Sequence, residues 1–139
     1  MEPLVFQQKM NASSEKIWKA ITRAEEMKHW YFELEEFRAE PGFTFTFIAG
    51  DAEKKFLHEC TVKEVIPEKK LSYSWRYPEY SGNTLVTFQL FSEEGDKTLV
   101  KLTHEGLESL PDSPEFARKN FQGGWEYFIG KALKEYVED

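Results

Sequence analysis

The C-terminal run from Ser113 to Glu138 constrains this chain most, because no other segment is both long and periodic enough to cover the rest. Phe121, Trp125, Phe128, Ile129, Ala132, Leu133, Tyr136 and Val137 step by three and four, which lines side chains up on one helical face. The reading is one long amphipathic helix. Asp112 or Ser113 can cap it, Pro114 gives up no needed N–H, and Glu115 meets the positive end of the helix dipole. Roughly 24 residues extend about 36 Å, and an aromatic stripe of that length needs a broad apolar partner, which a sheet supplies. Gly123, Gly124 and Gly130 each cost a helix interior about 1 kcal/mol relative to alanine. Close approach of a strand or a ligand to the helix backbone is the expected compensation.

The chain before that run reads mostly as strands. Leu4 to Met10 alternates, with Leu4, Phe6, Gln8 and Met10 on the inner side. Ser13 or Ser14 caps a short helix carrying Ile17, Trp18, Ala20 and Ile21, and a second short turn spans Ala24 to Trp30. Trp30, Tyr31 and Phe32 in succession cannot all face inward, so part of this triplet is expected to be exposed or to line an opening. Pro41-Gly42 then opens a strand from Phe43 to Ile48, with Phe43, Phe45 and Phe47 on one face and Gly50-Asp51 closing it. Phe56, His58, Cys60 and Val62 share the next face, until Val65-Ile66-Pro67 signals a bulge or strand end. Leu71, Tyr73, Trp75 and Tyr77 follow, then Val86, Phe88 and Leu90, then a turn at Glu93-Glu94-Gly95-Asp96, and finally Val100, Leu102 and His104. Consecutive strands joined by turns pair antiparallel. The expected fold class is α+β, a single domain over residues 1–139. Its curved antiparallel sheet of about six to seven strands surrounds the long C-terminal helix, and two short helices follow the first strand.

Composition removes several functions. A net charge of −7, without clustered Lys and Arg, excludes a nucleic-acid surface. No apolar run approaches the roughly 18 residues of a membrane span, and no basic region followed by an apolar core begins the chain. The single cysteine, Cys60, has no internal disulfide partner, so a cytoplasmic location is expected. His29, His58 and His104 are scattered without ligand spacing, so no metal is expected. Gly123-Gly124 falls inside a helix pattern instead of between strand and helix, so it is no phosphate loop and no cofactor is expected.

Four stretches carry a family likeness: Ser13 to Thr22 (SSEKIWKAIT), Glu64-Val65-Ile66-Pro67 with Leu71 to Trp75, Leu102 to Gly106 (LTHEG), and Gly123-Gly124-Trp125. Together they resemble the heat-shock protein 90 ATPase activator homologue family, part of the START-like, helix-grip superfamily. That resemblance covers nearly the whole chain and implies a long C-terminal helix gripped by a curved antiparallel sheet. Where the family often has a glycine, two residues before the strand valine corresponding to Val62, this chain has Cys60, which adds a side chain to what would be a cavity wall. The eukaryotic activators carry a separate N-terminal domain that makes much of the chaperone contact, and no such domain is expected here.

A sheet curled around a helix leaves space between them. Candidates to line it are Phe45, Phe47, His58, Cys60, Tyr73, Trp75, Phe88, Leu102 and His104 from the strands, with Trp125, Phe128 and Ile129 from the helix. Solid packing accounts for the apolar members as well. The polar minority, His58, Cys60, Tyr73, His104 and Gln8, favours a mostly apolar site with a few convergent polar groups. His58 and Cys60 lie about 7 Å apart along their strand, too far for a direct thiol–imidazole hydrogen bond, and no catalytic residue is assigned. The leading expectation is non-catalytic binding of an apolar or aromatic small molecule, entered near Trp30-Tyr31-Phe32 and the turns around Gly50 and Tyr80. The alternatives are a module that binds a chaperone or other protein, and a polyketide cyclase-like enzyme with His104 and Tyr73 as acid and base.

Overall fold

β1 (Leu4–Met10), β2 (Thr44–Gly50), β3 (Lys55–Ile66), β4 (Lys70–Trp75), β5 (Thr84–Glu93) and β6 (Lys97–Glu105) form one six-stranded antiparallel sheet in the order β1-β6-β5-β4-β3-β2. The structure is a computed structural model and describes residues 2–50 and 53–139, so Asp51 of the predicted turn lies outside the described residues. Each alternation read from the sequence becomes an inner face. Phe45 and Phe47, His58, Cys60 and Val62, Tyr73 and Trp75, Val86 and Phe88, Leu102 and His104 are all buried. Gly95 and Asp96 both take positive φ in the β5–β6 hairpin, where glycine is at no disadvantage. The β3–β4 register shifts between Val62 and Glu64, so the bulge falls just before the predicted Val65-Ile66-Pro67 break, which ends the strand.

After β1 come α1 (Ser14–Thr22) and α2 (Ala24–Met27). Ser13 is the cap of α1, accepting from the Lys16 backbone N–H at 3.2 Å. Trp30 is buried with its indole N–H donated to the Ala20 carbonyl at 2.8 Å, while Tyr31 and Phe32 are half-buried.

The terminal helix differs from its sequence reading at its start. Pro114–Phe116 is a separate 3₁₀ turn, Ser113 makes no capping bond, and the helix begins with α3 (Arg118–Tyr127). The cause is Phe116, which is buried with its ring 4.9 Å from Tyr77, 5.0 Å from Tyr80 and 5.4 Å from Phe56. Seating that ring leaves Ala117 extended, at φ −67° and ψ 142°, which breaks the helix between the cap signals and Arg118.

Beyond α3 the helix passes through a π-helical stretch, Phe128–Leu133, into α4 (Lys134–Glu138). Its four buried residues, Trp125, Ile129, Leu133 and Val137, recur every fourth position. In a regular α-helix such a repeat drifts about 40° per step, roughly 120° from first to last. The wider i→i+5 turn absorbs part of that drift and keeps the four on the sheet. Among the described residues no helix is long and apolar enough to cross a membrane.

The three helix glycines separate. A Cβ on Gly130 would come within 3.0 Å of the Phe6 ring on β1, which is the predicted close approach. At Gly123 and Gly124 a Cβ would meet nothing within 4 Å, so the expected close contact is absent there. Replacing the exposed Gly123 by alanine should therefore raise stability by about 0.5–1 kcal/mol through helix propensity. Gly130→Leu should lower it by about 1–3 kcal/mol through overpacking against Phe6. Urea unfolding of both variants, read as midpoint shifts at constant slope, checks the pair.

Candidate ligand-binding cleft

Under the middle of the terminal helix the interior is closed. Leu102, His104, Ile129 and Leu133 are fully buried. His104 is held at both ring nitrogens: Trp125 Nε1–H donates to Nδ1 at 3.1 Å, and Nε2 lies 2.8 Å from Thr84 Oγ1, whose hydroxyl donates to the Trp75 carbonyl at 2.7 Å. An indole N–H only donates, so Nδ1 accepts and the hydrogen sits on Nε2. Burial lowers the pKa of His104 to about 3, keeping it neutral. The Tyr73 hydroxyl lies 2.8 Å from that of Tyr31, and burial raises both pKa values well above the ordinary range.

The covering is incomplete at one end of the sheet. There the ends of β2 and β4, the start of β3 and the first turns of α3 surround an open cleft of about 440 Å³. Phe32, Phe56, Trp75, Tyr77, Phe121, Trp125 and Phe128 supply its walls, with His58 among them. Gly124 lines the cleft from the helix, and the empty space beside it is where a larger residue would project. The exposed Gly50, Lys54, Glu115 and Asn120 edge the opening. Lys54 Nζ lies 3.3 Å from Glu115 Oε1 and 5.2 Å from the centre of the Phe56 ring, joining the two sides of the mouth.

Two polar groups in this aromatic cup are only half used. His58 Nδ1 is 3.0 Å from the Phe56 carbonyl, an acceptor only, so Nδ1 carries the hydrogen and Nε2 offers a lone pair. Burial lowers the His58 pKa to about 4, against the opposing pull of the Phe56 and Phe47 backbone. Among the described residues no side-chain hydrogen bond is found at Nε2, and His58 lines the cleft. The Tyr77 hydroxyl accepts from Trp75 Nε1–H at 2.9 Å and keeps its own hydrogen to donate. Burial pushes its pKa up to about 12, so that hydrogen stays in place at neutral pH.

Of the residues singled out in the sequence, His58, Trp75, Trp125 and Phe128 line the cleft. Phe47 lies just behind its wall, 4.2 Å from the Phe32 ring and 4.5 Å from that of His58. Phe45, Cys60, Tyr73, Phe88, Leu102, His104 and Ile129 pack deeper in the core. Burial raises the Cys60 pKa, and a thiol held in that protonated state is not a nucleophile. Gln8, on β1, lies beside Gly130 and away from the cleft. Phe32 and Gly50, predicted at the entrance, do line the cleft, while Tyr80 lies beside the mouth, its ring centre 5.8 Å from Lys54 Nζ. Phe56 and Tyr77 were readable as the next steps of the His58 and Trp75 alternations. The rim residues come from turns and carry no periodic signal. Among the described residues no three His, Cys, Asp or Glu side chains gather as a metal site would require.

A family profile described as activator of Hsp90 ATPase homolog 1-like protein matches residues 11–138. Among solved structures, a Bacillus halodurans protein, BH1534, is 24% identical, with a TM-score of 0.77 over 99% of this chain and 98% of that one. The Aha1 dimer from Colwellia psychrerythraea is 24% identical, with a TM-score of 0.72 over 99% and 97%. CalU16 from Micromonospora echinospora is 24% identical, with a TM-score of 0.71 over 97% of this chain and 75% of that one. At these identities the likeness is one of fold. No curated protein matches the chain.

Both depressed histidines tie stability to pH. An unfolded histidine takes up a proton below about 6.5, while folded His58 and His104 refuse it until about 4 and about 3. Their contribution is therefore complete above about pH 6.5 and is lost as pH falls toward those values, because the unfolded chain binds more protons there. Between pH 6 and 5, His58→Phe should reduce the acid slope of unfolding free energy by about 1 kcal/mol per pH unit. Denaturant unfolding at the two pH values measures it.

Proposed function

The chain belongs to the activator of Hsp90 ATPase homolog 1-like family, and from that premise we propose that it binds an uncharged aromatic small molecule in the open cleft without transforming it. The reading rests on one observation: an opening of about 440 Å³, walled by seven aromatic side chains, exposes polar atoms whose hydrogen-bonding capacity is unfilled. That volume lies within the roughly 300–1,000 Å³ of small-molecule sites, which are mostly apolar with a few orienting polar groups. Rings of Phe32, Trp75 and Trp125 offer flat and edge contacts, each aromatic pair contributing about 0.5–1.5 kcal/mol beyond area burial. A carrier or receptor role fits the state of the reactive candidates, since His104 and Tyr73 are engaged in structural hydrogen bonds and Cys60 is buried as a thiol. Docking of a protein partner, a chaperone included, is a second reading, supported by the family's name and by the dimer of the Colwellia relative. It would use an outer surface, so ligand-dependent stabilisation separates the two.

A panel of aromatic hydrocarbons, phenols and aromatic acids should contain compounds that raise the unfolding temperature and change tryptophan emission, because Trp75 and Trp125 both line the cleft. A ligand at a hundred times its Kd stabilises the native state by about 2.7 kcal/mol. Gly124→Leu should fill the space beside the helix and weaken binding at least about tenfold, while the loss of a helix glycine leaves the fold as stable or more so. No response from wild-type protein to any compound would remove the binding reading.

A further inference from the structure

We infer that His58 and Tyr77 together read a hydroxyl group on the ligand, so that the cleft selects uncharged hydroxyaromatic molecules; this rests on the cleft being a ligand site. His58 and Tyr77 are 6% and 5% exposed, yet each has an unfilled hydrogen-bonding position. In an open cleft such positions are left to solvent or to a ligand. The two rings are 4.7 Å apart between centroids, and both residues line the cleft.

Their roles are fixed before any ligand arrives. The Phe56 carbonyl holds the hydrogen of His58 on Nδ1, which makes Nε2 an acceptor. Trp75 Nε1–H occupies a lone pair of the Tyr77 oxygen, which leaves the Tyr77 hydrogen free to donate. The pair therefore presents one acceptor beside one donor. A hydroxyl matches both with a single oxygen, donating to Nε2 and accepting from Tyr77. A methoxy group accepts from Tyr77 but has nothing for Nε2. A carboxylate also lacks a hydrogen to donate, and no cation lines the floor of the cup to compensate a buried charge. Lys54, the cation among the lining residues, lies at the exposed rim in its pair with Glu115.

The test uses three probes with one ring system, 2-naphthol, 2-methoxynaphthalene and 2-naphthoate, titrated against the protein at pH 7 with tryptophan emission as readout. Wild type should bind 2-naphthol about tenfold or more tightly than either of the others, as sites built for a hydroxyl reject analogues lacking it. In His58→Phe, whose ring keeps the stacking on Phe47, 2-naphthol and 2-methoxynaphthalene should bind within about twofold of each other. Equal binding of the three probes to wild type would overturn the hydroxyl reading and leave the cleft a general aromatic site. Persistence of the naphthol preference in His58→Phe would overturn it too. Failure of all three to bind would remove both readings. The wild-type series needs no variant, so a folding defect cannot mask the result.

Discussion

The hydrogen-bonded chain from Trp125 through His104 and Thr84 to the Trp75 carbonyl fixes where the terminal helix sits on the sheet. It ties α3 to β6, β5 and β4, strands already joined to one another by the backbone ladder of the sheet. Its polarity is determined throughout, since the indole can only donate and the carbonyl can only accept. Apolar packing would tolerate small slides of the helix, whereas breaking one of these bonds strands a buried polar group at about 1–3 kcal/mol. Trp125 and Trp75 are also wall residues of the cleft. The bonds that seat the helix therefore also hold two of the cleft's largest rings.

With that register fixed, the rest of the helix must adjust. The four-residue repeat of Trp125, Ile129, Leu133 and Val137 is reconciled with the sheet by the π-helical stretch between Phe128 and Leu133. Gly130 lies inside that stretch, where the helix backbone passes the Phe6 ring. At the other end, Phe116 fills the space among Phe56, Tyr77 and Tyr80, and the chain turns out of helical geometry to seat it. Phe116 thus packs on Phe56 and Tyr77, two of the residues that line the cleft, while Gly124 lines it from the helix.

The fold was legible because period-two and period-three-to-four patterns are local, and each inner face of the sheet was read from its own strand. The helix start was not. Ser113, Pro114 and Glu115 suit the entry of a 3₁₀ turn as well as that of an α-helix, and only the tertiary seat of Phe116 decides between them. The glycines show the same limit, since helix propensity assigns one cost to Gly123, Gly124 and Gly130 while the environment gives each a different meaning. His58 and His104 are instructive in the same way. Both are polar residues on inward faces. What lies opposite separates them: an indole N–H and a threonine hydroxyl for His104, open space for the free nitrogen of His58.

Several local departures from stability coincide at the cleft. A glycine inside a helix sacrifices about 1 kcal/mol relative to alanine, and at Gly124 no close contact requires it. His58 keeps a ring nitrogen that no protein group partners, where phenylalanine would stack on Phe47 alone. The Tyr77 hydroxyl adds an unspent donor in the same space. Violations scattered at random would signal a poorly adapted sequence, whereas violations gathered around one opening mark where stability gives way to recognition. The physical case for a ligand site therefore rests less on the size of the cleft than on the departures concentrated around it.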